Sequence, residues 1–599
     1  MQTKYFPYFH FVDSLYDPSV INQVMPTQIP GMLLCKYRLL PILALFYLVA
    51  CQAPSSTEIA NDPHSIERGK YYYDLYCSSC HSLNNQSIGP ALAGITELED
   101  PDWLRSFIRN APEMIDGGDK RAKALLATYR QYMPAFPMLQ DSNIDCILAY
   151  LHAQPASAVA SADTLTGLED PIPDSIALSD HVVDLQLLTQ IPASGEFPLM
   201  TRITKMDCAA NTGRLFMLDL RGKLYEMTNG TNTVYLDMAT HFPNYIDVPG
   251  LATGFGSFAF HPEFENNGLL YTTHTEQPGS APADFALWDS IPVKLQWVVD
   301  EWKVNDPTAK TLTGSHRELM RIEMVTQIHG VQDLEFNPNA QPGDPDYGML
   351  YIGVGDGGSV ENGFPEVSIN GAKKIWSSIL RIDPAGNNSK NGQYGIPPDN
   401  PWAADNDPET LGEIYARGFR NPHRLTWSPD GNMVASCIGH HMIEEVNLIE
   451  PGKDYGWPER EGTFKMRYSE TMATIFPLDP ADTLVNFTYP IAQFDHGEGN
   501  AISGGYFSPV NSKVLPGTYF FGDIVNGRLF YINQKDIKQG YPAPVHEWRI
   551  AIDGVPTTLL ELSGSNRADL RFGKDCDGNF YLFTKVTGKV YRMAGEMPL

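Results

Sequence analysis

The sequence predicts two folded parts: a small all-α domain, followed by an all-β domain built as a six-bladed β-propeller. Three observations lead to this fold class. Apolar residues recur at helical spacing between residues 62 and 155, whereas short alternating runs broken by Gly, Asn and Pro dominate after residue 180. Between them lies a stretch rich in Ala, Ser, Pro and Asp, which is the composition of a linker.

The overall composition excludes several classes of protein. Apolar residues make up 43% of the 599 residues, which is enough to build packed cores and excludes wholesale disorder. The net charge of −28 predicts no nucleic-acid partner, because phosphate binding needs clustered Lys and Arg. Eight Cys are too few for a disulfide scaffold in a chain of this length.

Residues 1–51 are predicted to be a signal region with a start near Met32. A short basic segment precedes an apolar run over 39–50, too short to span a bilayer, and its end resembles the lipobox of bacterial lipoproteins. That resemblance implies a lipid on Cys51, a membrane anchor and a location on the periplasmic side of a bacterial cell envelope. A flexible tether over 52–61 would follow. The alternative is an ordinary secretory signal in which Cys51 has no role.

The first domain, residues 62–155, carries recognisable helix starts. Asp100 before Pro101 is a typical N-cap followed by proline in the first turn, and apolar residues then recur at helical spacing. Asp141 or Ser142 would cap a last helix with one apolar face. These patterns indicate a small helical bundle.

The second domain, residues 181–599, follows the predicted linker at 156–180 and contains an internal repeat. Six times, a Gly-containing turn leads into an apolar strand; the turn glycines are Gly213, Gly268, Gly348, Gly431, Gly517 and Gly578. A strand motif that recurs with insertions of variable length indicates one supersecondary unit used repeatedly, as in the blades of a propeller. The alternative is a set of ordinary hairpins in a sandwich.

The segment Cys77-Ser78-Ser79-Cys80-His81 has the CxxCH pattern of covalent haem attachment. The spacing has a chemical reason: two thiols add to two vinyl groups on one porphyrin edge, and the adjacent His reaches the iron. We therefore predict a c-type haem bound through Cys77 and Cys80, with His81 as an iron ligand.

The region around this motif resembles a class I cytochrome c domain. The resemblance rests on the sequence IGPALAG over 88–94, on Met133 before Pro134, and on Gly69 in the first helix. It implies that Met133 is the second iron ligand, with Met138 as the alternative. His/Met ligation raises the haem potential, which favours acceptance of an electron.

Five segments of the second domain resemble the soluble glucose/sorbosone dehydrogenase family. They are FAFHPEF at 258–264, IHGVQDL at 328–334, GFRNP at 418–422, EVNLI at 445–449 and KDYGWP at 453–458. The family consists of six-bladed propellers, and its well-studied members use pyrroloquinoline quinone (PQQ) and calcium. The resemblance spans roughly residues 200–595.

This resemblance assigns roles to five side chains. His329 would be the general base that takes the hydroxyl proton of a sugar, and Asp356 would orient it and stabilise its protonated form. Arg420, Asn421 and Arg571 would bind the quinone, whose three carboxylates call for cationic and bidentate donors.

The same resemblance implies two calcium positions. The carbonyl groups of Gly439 and His440 would hold an ion that polarises the quinone, and Glu445 and Tyr455 match a second, structural position. Oxygen ligands are what this hard cation requires.

The chain also departs from the family pattern. A family glutamine falls at Ala252, a family lysine falls near Val525 with Arg528 as a substitute elsewhere on that strand, and a cofactor-contacting aspartate falls at Glu444. Four cysteines are left either paired or free by the sequence: Cys146, Cys208, Cys437 and Cys576.

Two functions follow as hypotheses. In the first, the propeller oxidises a sugar or polyol with PQQ and passes electrons to the haem and then to a downstream cytochrome or oxidase. In the second, the propeller is a non-catalytic module that binds a carbohydrate or protein partner. The residues at Ala252 and Val525 favour the second hypothesis, and the presence of His329, Asp356 and Arg420 favours the first.

Overall fold

The computed structural model describes most of the chain after residue 58: 59–78, 81–83, 89–129, 133–136, 139–155, 167–196, 199–228, 230–250, 252–369, 371–479 and 486–597. Ser56–Leu599 form one compact unit that contains both predicted domains. The predicted signal region, with Cys51, lies outside the described residues, so its export and lipid anchor stay predictions. In the described part of the chain, no helix is long and apolar enough to cross a membrane.

The first domain is helical, as predicted. Its helices are α1 Pro63–Tyr76, α2 Ile95–Leu98, α3 Pro101–Asp116, α4 Lys120–Tyr129 and α5 Asp141–His152. Asp100 caps α3 by accepting hydrogen bonds from the backbone N–H groups of Asp102 and Trp103. The cap of α5 differs from the prediction, since the N-cap position is Gln140 and no side chain bonds there.

Helices α1 and α5 cross in close contact at Gly69. A Cβ atom at this position would lie 1.8 Å from the carbonyl oxygen of Cys146, so only glycine allows the two backbones to approach this far. One turn later the rings of Tyr73 and Tyr150 pack with their centroids 5.2 Å apart. The crossing fixes the end of α1, and with it the position of Cys77.

The second domain consists of four-stranded sheets arranged as six blades. Blade one contains β2 Ile203–Ala209, β3 Arg214–Asp219, β4 Lys223–Thr228 and β5 Thr231–Asp237. Blade two contains β6 Phe255–Phe260, β7 Leu269–Glu276, β8 Leu295–Val304 and β9 Gly314–Met324. Blade three contains β10 Val331–Phe336, β11 Leu350–Val354, β12 Ser378–Ile382 and β13 Ile414–Arg417. Blade four contains β14 Pro422–Trp427, β15 Met433–Cys437, β16 Ile443–Ile449 and β20 Ala492–Asp495.

Blade five contains β21 Ile502–Phe507, β22 Thr518–Asp523, β23 Leu529–Asn533 and β24 His546–Ile552, with β25 Val555–Thr557 paired to β24. Blade six contains β26 Leu570–Lys574, β27 Phe580–Thr584, β28 Lys589–Glu596 and, from the start of the domain, β1 Ala177–Gln190. Two short helices, α6 Phe264–Asn267 and α7 Leu559–Ser563, lie in loops, and blade four carries a small inserted sheet of β17 Arg460–Glu461, β18 Phe464–Arg467 and β19 Thr471–Phe476.

The six blades form a closed ring. The first strands of the blades, β2, β6, β10, β14, β21 and β26, each contact the first strand of the next blade, and β26 contacts β2. The six repeat strands predicted from the sequence are β3, β7, β11, β15, β22 and β27, which are the second strands of the six blades. This confirms the predicted propeller and identifies the repeat as the blade.

Two features join the ends of the ring. Strand β1 pairs antiparallel with β28 and parallel with β24, so the start of the domain completes the last blade. A disulfide joins Cys208 on β2 to Cys576 in the turn after β26, with their Cα atoms 5.6 Å apart. This linkage between blade one and blade six settles the state of two of the cysteines that the sequence left open.

The propeller begins earlier in the chain than expected. Strand β1 starts at Ala177, inside the predicted linker 156–180, and the described residues just before it are already bound to blade four and its insertion. The Leu168 N–H donates to the Ile475 carbonyl at 2.9 Å, and the Ile172 N–H donates to the Asp495 carboxylate at 3.1 Å. The linker composition was misleading because Pro, Ser and Asp also suit a segment that follows a surface without regular secondary structure.

Candidate functional site

His81 has the surroundings of a metal-ligating imidazole. Its Nδ1 lies 3.0 Å from the Pro90 carbonyl oxygen, so Nδ1 donates there and Nε2 is left for a metal. Burial lowers the pKa of His81, which favours the neutral form that binds metals. Gly89 makes room for the ring, since a Cβ atom there would lie 2.3 Å from Cε1 of His81. The Tyr73 hydroxyl donates to the His81 carbonyl at 2.7 Å and holds the segment on α1.

The other described residues around His81 fit a haem. Cys77 is buried at the end of α1, and Met133 packs against the apolar cluster that also contains Leu104 and Phe136. A thioether and a neutral imidazole in apolar surroundings are the ligand pair of a His/Met haem, and the Cys77 thiol is placed to supply a covalent link to it. Cys80 and the alternative ligand Met138 lie outside the described residues, so their roles stay predictions.

The propeller has a cavity of about 190 Å³ at the centre of the ring. It lies where the first strands begin, because each contributes residues at or near its start. These lining residues are Thr204 on β2, Gly256 on β6, His329 and Gln332 around the start of β10, Asn421, His423 and Arg424 around the start of β14, Ala501 before β21, and Arg571 on β26. The loops that follow the second strands reach the same end of the ring.

The loop before β10 and the loop after β11 bring His329 and Asp356 together. His329 Nδ1 lies 2.7 Å from a carboxylate oxygen of Asp356, and both residues are buried apart from the cavity face of His329. Asp356 also accepts hydrogen bonds from the Gly358 N–H at 2.8 Å and from the Trp457 indole at 3.1 Å. The carboxylate thereby fixes the imidazole with Nε2 left for the cavity, which is the arrangement of an oriented general base.

His329 also has a backbone conformation that is unusual for its residue type. Its φ angle of 52° lies in the left-handed region, which costs a side-chain-bearing residue about 1–3 kcal/mol. The loop after β11 contacts it there, with the Gly357 N–H donating to the His329 carbonyl at 3.1 Å. Strain of this kind is typical of functional sites, and it turns the imidazole toward Asp356.

Arg420 is close to this pair but does not line the cavity. Its backbone carbonyl accepts from the Asp356 N–H at 2.9 Å, while its guanidinium forms a buried ion pair with Glu361 and donates to the Gly439 carbonyl. His440 Nδ1 lies 3.0 Å from the same Glu361 carboxylate. Arg420 holds the pKa of Glu361 well below its usual range, so this carboxylate is charged. The guanidinium predicted to bind the quinone is therefore engaged by a carboxylate that sequence reasoning missed.

Three basic side chains, Lys585, Arg571 and His423, face the cavity with little compensation from carboxylates. Lys585 Nζ forms no ion pair within the described part of the chain, Arg571 Nε has no hydrogen-bond partner there, and neither does His423 Nδ1. Burial and the neighbouring cations lower the pKa of Arg571 to about 9 and lower those of Lys585 and His423 well below their usual values. Asp569 is the carboxylate nearby, and Arg567 bonds it at 2.9 Å. An excess of buried cationic donors fits a ligand with several carboxylates, such as PQQ.

The structure shows what surrounds Ala252 and Arg528, the residues at two of the positions where the chain departs from the family pattern. Ala252 lines the cavity, and Gln332 places its side-chain amide there by donating to the Ala252 carbonyl at 3.3 Å. Arg528, the expected substitute near Val525, pairs instead with Glu498 and Glu547. Lys585, directly after β27, is a lysine that reaches the cavity. No motif in the sequence distinguishes it from other lysines at the ends of strands, so sequence reasoning missed it.

At the first predicted calcium position, one of the two predicted carbonyl ligands is engaged by the protein itself. The Gly439 carbonyl accepts a hydrogen bond from the Arg420 guanidinium, and the His440 imidazole pairs with Glu361. The cationic group beside these residues is thus an arginine of the protein. The described residues also contain no cluster of three or more His, Cys, Asp or Glu side chains with metal-binding geometry.

At the second predicted calcium position, Glu445 fits a calcium ligand but Tyr455 does not. Glu445 is buried without a cationic partner among the described residues and accepts from Asn447 at 3.0 Å and from the Gly462 N–H at 3.2 Å. Burial raises its pKa to about 7, and a bound cation would relieve that cost. The Tyr455 hydroxyl is already used, since it donates to the Leu448 carbonyl at 2.6 Å.

Comparisons with known proteins agree with both parts of the chain. The family model described as Glucose / Sorbosone dehydrogenase matches residues 204–551, and the model described as Cytochrome c matches residues 66–154. The first match covers more than half of the 599 residues.

Individual relatives are more distant. HIPL2 protein of Arabidopsis thaliana is 28% identical over 365 residues, which cover 52% of this chain and 49% of the relative. Quinoprotein glucose dehydrogenase B of Acinetobacter calcoaceticus is 26% identical over 234 residues, or 37% of this chain and 43% of the relative. The chain thus spans about half the length of the curated relatives it matches. The PQQ-bound aldose sugar dehydrogenase structure from Streptomyces coelicolor is 20% identical, with a TM-score of 0.44, and the match covers 68% of this chain and 97% of that one.

Proposed function

Since the chain belongs to the glucose/sorbosone dehydrogenase family and carries a cytochrome c domain ahead of its propeller, we propose that it oxidises a sugar or polyol and passes the electrons to a covalently bound haem. The observation that carries this proposal is the His329–Asp356 pair at the central cavity. An imidazole that is oriented by a buried carboxylate and faces a cavity is a group placed to move a proton.

The chain's own residues divide the work of the reaction. Oxidation of an alcohol to a carbonyl releases two electrons and two protons. His329 Nε2 takes the hydroxyl proton, and Asp356 stabilises the imidazolium that results. When bound, PQQ supplies a two-electron acceptor for the hydride that leaves the carbon. Arg571, Lys585 and Asn421 line the cavity and would hold its carboxylates.

The haem is the proposed exit for electrons. His81 and Met133 would ligate the iron, and the higher potential of a His/Met haem would make it an acceptor. Because one haem takes one electron at a time, the two electrons of each turnover leave in succession to a downstream cytochrome or oxidase. Glu445 is the proposed ligand of a structural calcium ion.

The proposed location follows from the same chemistry. Lipid attachment at Cys51 would place the enzyme on the periplasmic side of a bacterial membrane, and the Cys208–Cys576 disulfide agrees with an oxidising compartment. Metabolic labelling with a fatty acid would test the anchor, and loss of label in Cys51→Ala is the expected result.

Reconstitution tests the enzymatic proposal. Purified holocytochrome is mixed with PQQ and calcium, a panel of aldoses and polyols is added, and the reduced-haem absorbance band is followed. We expect reduction with at least one substrate and a rate 100-fold or more lower in His329→Ala. His546→Gln, on a strand away from the cavity, is the matched control. A His329→Ala variant that reduces haem at the parent rate would contradict the assigned base.

One observation favours the second candidate, a non-catalytic binding module. The Arg420 guanidinium is paired with Glu361 and does not line the cavity, so a cation predicted for the quinone is engaged elsewhere. In that case PQQ would not bind, no sugar would reduce the haem, and the cationic cavity would bind acidic sugars without converting them. Titration calorimetry with PQQ and with galacturonate separates the two functions.

A further inference from the structure

The cytochrome domain touches the propeller at two sites on one side of the cavity mouth. Lys294, just before β8, lies 3.3 Å from Asp74 on α1, and both side chains are partly exposed. Gln327 Nε2 donates to the Ser78 hydroxyl at 2.6 Å. Ser78 belongs to the haem-attachment motif, and Gln327 precedes the cavity residue Ile328. The attachment edge of the haem domain therefore lies against the segment that presents the catalytic base.

The opposite side of the cytochrome domain meets the opposite rim of the ring. A second cavity of about 240 Å³ lies between the two domains, with Met133 and Asp116 on the cytochrome side and Val525 and Arg567 on the propeller side. Arg567 also lines the central cavity. The segment that carries the second iron ligand thus faces the far rim of the same cavity mouth.

Arg221 lies near the cytochrome domain between these two places. Burial raises the pKa of Tyr76 at the end of α1, and the charge of Arg221 counteracts part of that rise. Arg221 follows Leu220, which lines the central cavity. The hydrogen-bonded residues Lys294 and Gln327 and the cavity-lining residue Arg567 lie in different blades or the loops between them, so the cytochrome domain spans the mouth from rim to rim.

One ion pair crosses this interface. Asp74 on the cytochrome domain pairs with Lys294 on the propeller, and on the other rim Asp116 lines the same second cavity as Arg567, whose guanidinium bonds Asp569. Opposite charges in contact at Asp74 and Lys294, together with the Gln327–Ser78 hydrogen bond, favour one orientation of the small domain. His81 and Met133 are the residues that would hold a haem in this domain.

We infer that the cytochrome domain is the docked roof of the propeller cavity, so that electrons reach the haem without domain movement and the substrate is a small free sugar or polyol. This inference rests on the proposed function. A substrate must fit beneath the roof or enter at its edge, which excludes the interior units of a polysaccharide. When bound, the haem would supply a one-electron acceptor held by His81 and Met133 beside the cavity.

Zero-length cross-linking tests the docking directly. A carbodiimide joins a carboxylate to an amine in contact, so Asp74 and Lys294 should form an amide that mass spectrometry finds in one peptide pair. Lys70, 2.6 Å from Asp74, competes for the carboxylate, so the experiment is done in Lys70→Gln holoprotein. Lys294→Arg is the matched control, because it keeps the positive charge but does not form the amide.

The cross-linked protein then tests the consequence. We expect haem reduction within twofold of the untreated rate, and at least a tenfold fall in rate from maltose to maltoheptaose. Absence of the Asp74–Lys294 peptide, a tenfold slower reduction after cross-linking, or equal rates with the two oligosaccharides would each overturn the inference. Failure of every sugar to reduce the haem in both forms would refute the proposed function instead, while the cross-linked peptide would still decide the docking.

Discussion

The disulfide between Cys208 and Cys576 should be a main determinant of propeller stability. It joins residues 368 positions apart, so in the unfolded chain it closes a loop that contains nearly the whole ring. The loop-closure relation gives about 6 kcal/mol for a loop of this length at 25 °C, and native disulfides typically contribute about 2–5 kcal/mol. We expect the lower range, because strand β1 closes the ring independently of the disulfide.

The double variant Cys208→Ser, Cys576→Ser measures this contribution. With an unfolding entropy of about 2.1 cal/mol/K per residue, a propeller that begins at Ala177 should lose about 2–6 °C in Tm. Tryptophan fluorescence reports the propeller transition, and the Soret band reports the cytochrome domain, which should not change. Dithiothreitol should lower the Tm of the parent by the same amount and leave that of the double variant unchanged. A loss below 1 °C, or an equal effect of dithiothreitol on both proteins, would refute the reasoning.

Four further changes have defined outcomes. Gly69→Val should destabilise the haem domain by at least about 3 kcal/mol in Soret-monitored melting, because its side chain meets the Cys146 carbonyl at the crossing of α1 and α5; an unchanged melt would contradict that contact. Asp356→Asn should slow haem reduction about 10²–10⁴-fold with unchanged PQQ binding, since it removes the charge that holds His329; weaker binding with an unchanged rate would contradict the assignment. Lys585→Gln should weaken PQQ binding at least tenfold in a fluorescence titration without lowering the Tm, because it removes a buried basic group that forms no ion pair among the described residues. The control Lys513→Gln, at an exposed position, should change neither PQQ binding nor the Tm. Calcium should raise the Tm of the parent but not that of Glu445→Gln. In EDTA, the free energy of unfolding of the parent should fall by up to about 3 kcal/mol relative to this variant as pH rises from 4.5 through 7, because the raised pKa of Glu445 makes its protonated form the favoured native form. Parallel pH profiles of the two proteins would refute the assigned role of Glu445.

Local sequence patterns predicted the elements of both domains. The Asp100–Pro101 cap, the CxxCH motif and the six repeat strands are encoded by adjacent residues, so their spacing is readable without a structure. The predicted linker extended into strand β1, which begins at Ala177. This strand could not be recognised from local sequence, because the strands that pair with it, β24 and β28, lie at the other end of the domain. Composition alone could not distinguish an extended segment bound to blade four from a free linker.

The candidate site was predicted unevenly. His329 and Asp356 were recognised as a pair because family motifs surround both, and the structure places them 2.7 Å apart. Glu361 and Lys585 were missed because they come from loops and strand ends in different blades, with no motif to mark them. The engagement of Arg420 by Glu361 depends on a contact between residues 59 positions apart, which no local pattern contains.

The amino-acid order by itself determined that this chain has a cytochrome c domain with a haem-attachment motif and builds a ring of blades, since both depend on short motifs and strand periodicity. Only the tertiary structure decided which cations face the central cavity, which one is neutralised by a carboxylate, and where the cytochrome domain lies relative to the opening. The physical reason is that burial, charge pairing and docking are properties of residues brought together from distant parts of the chain. Their energies depend on distances that the order of residues does not contain.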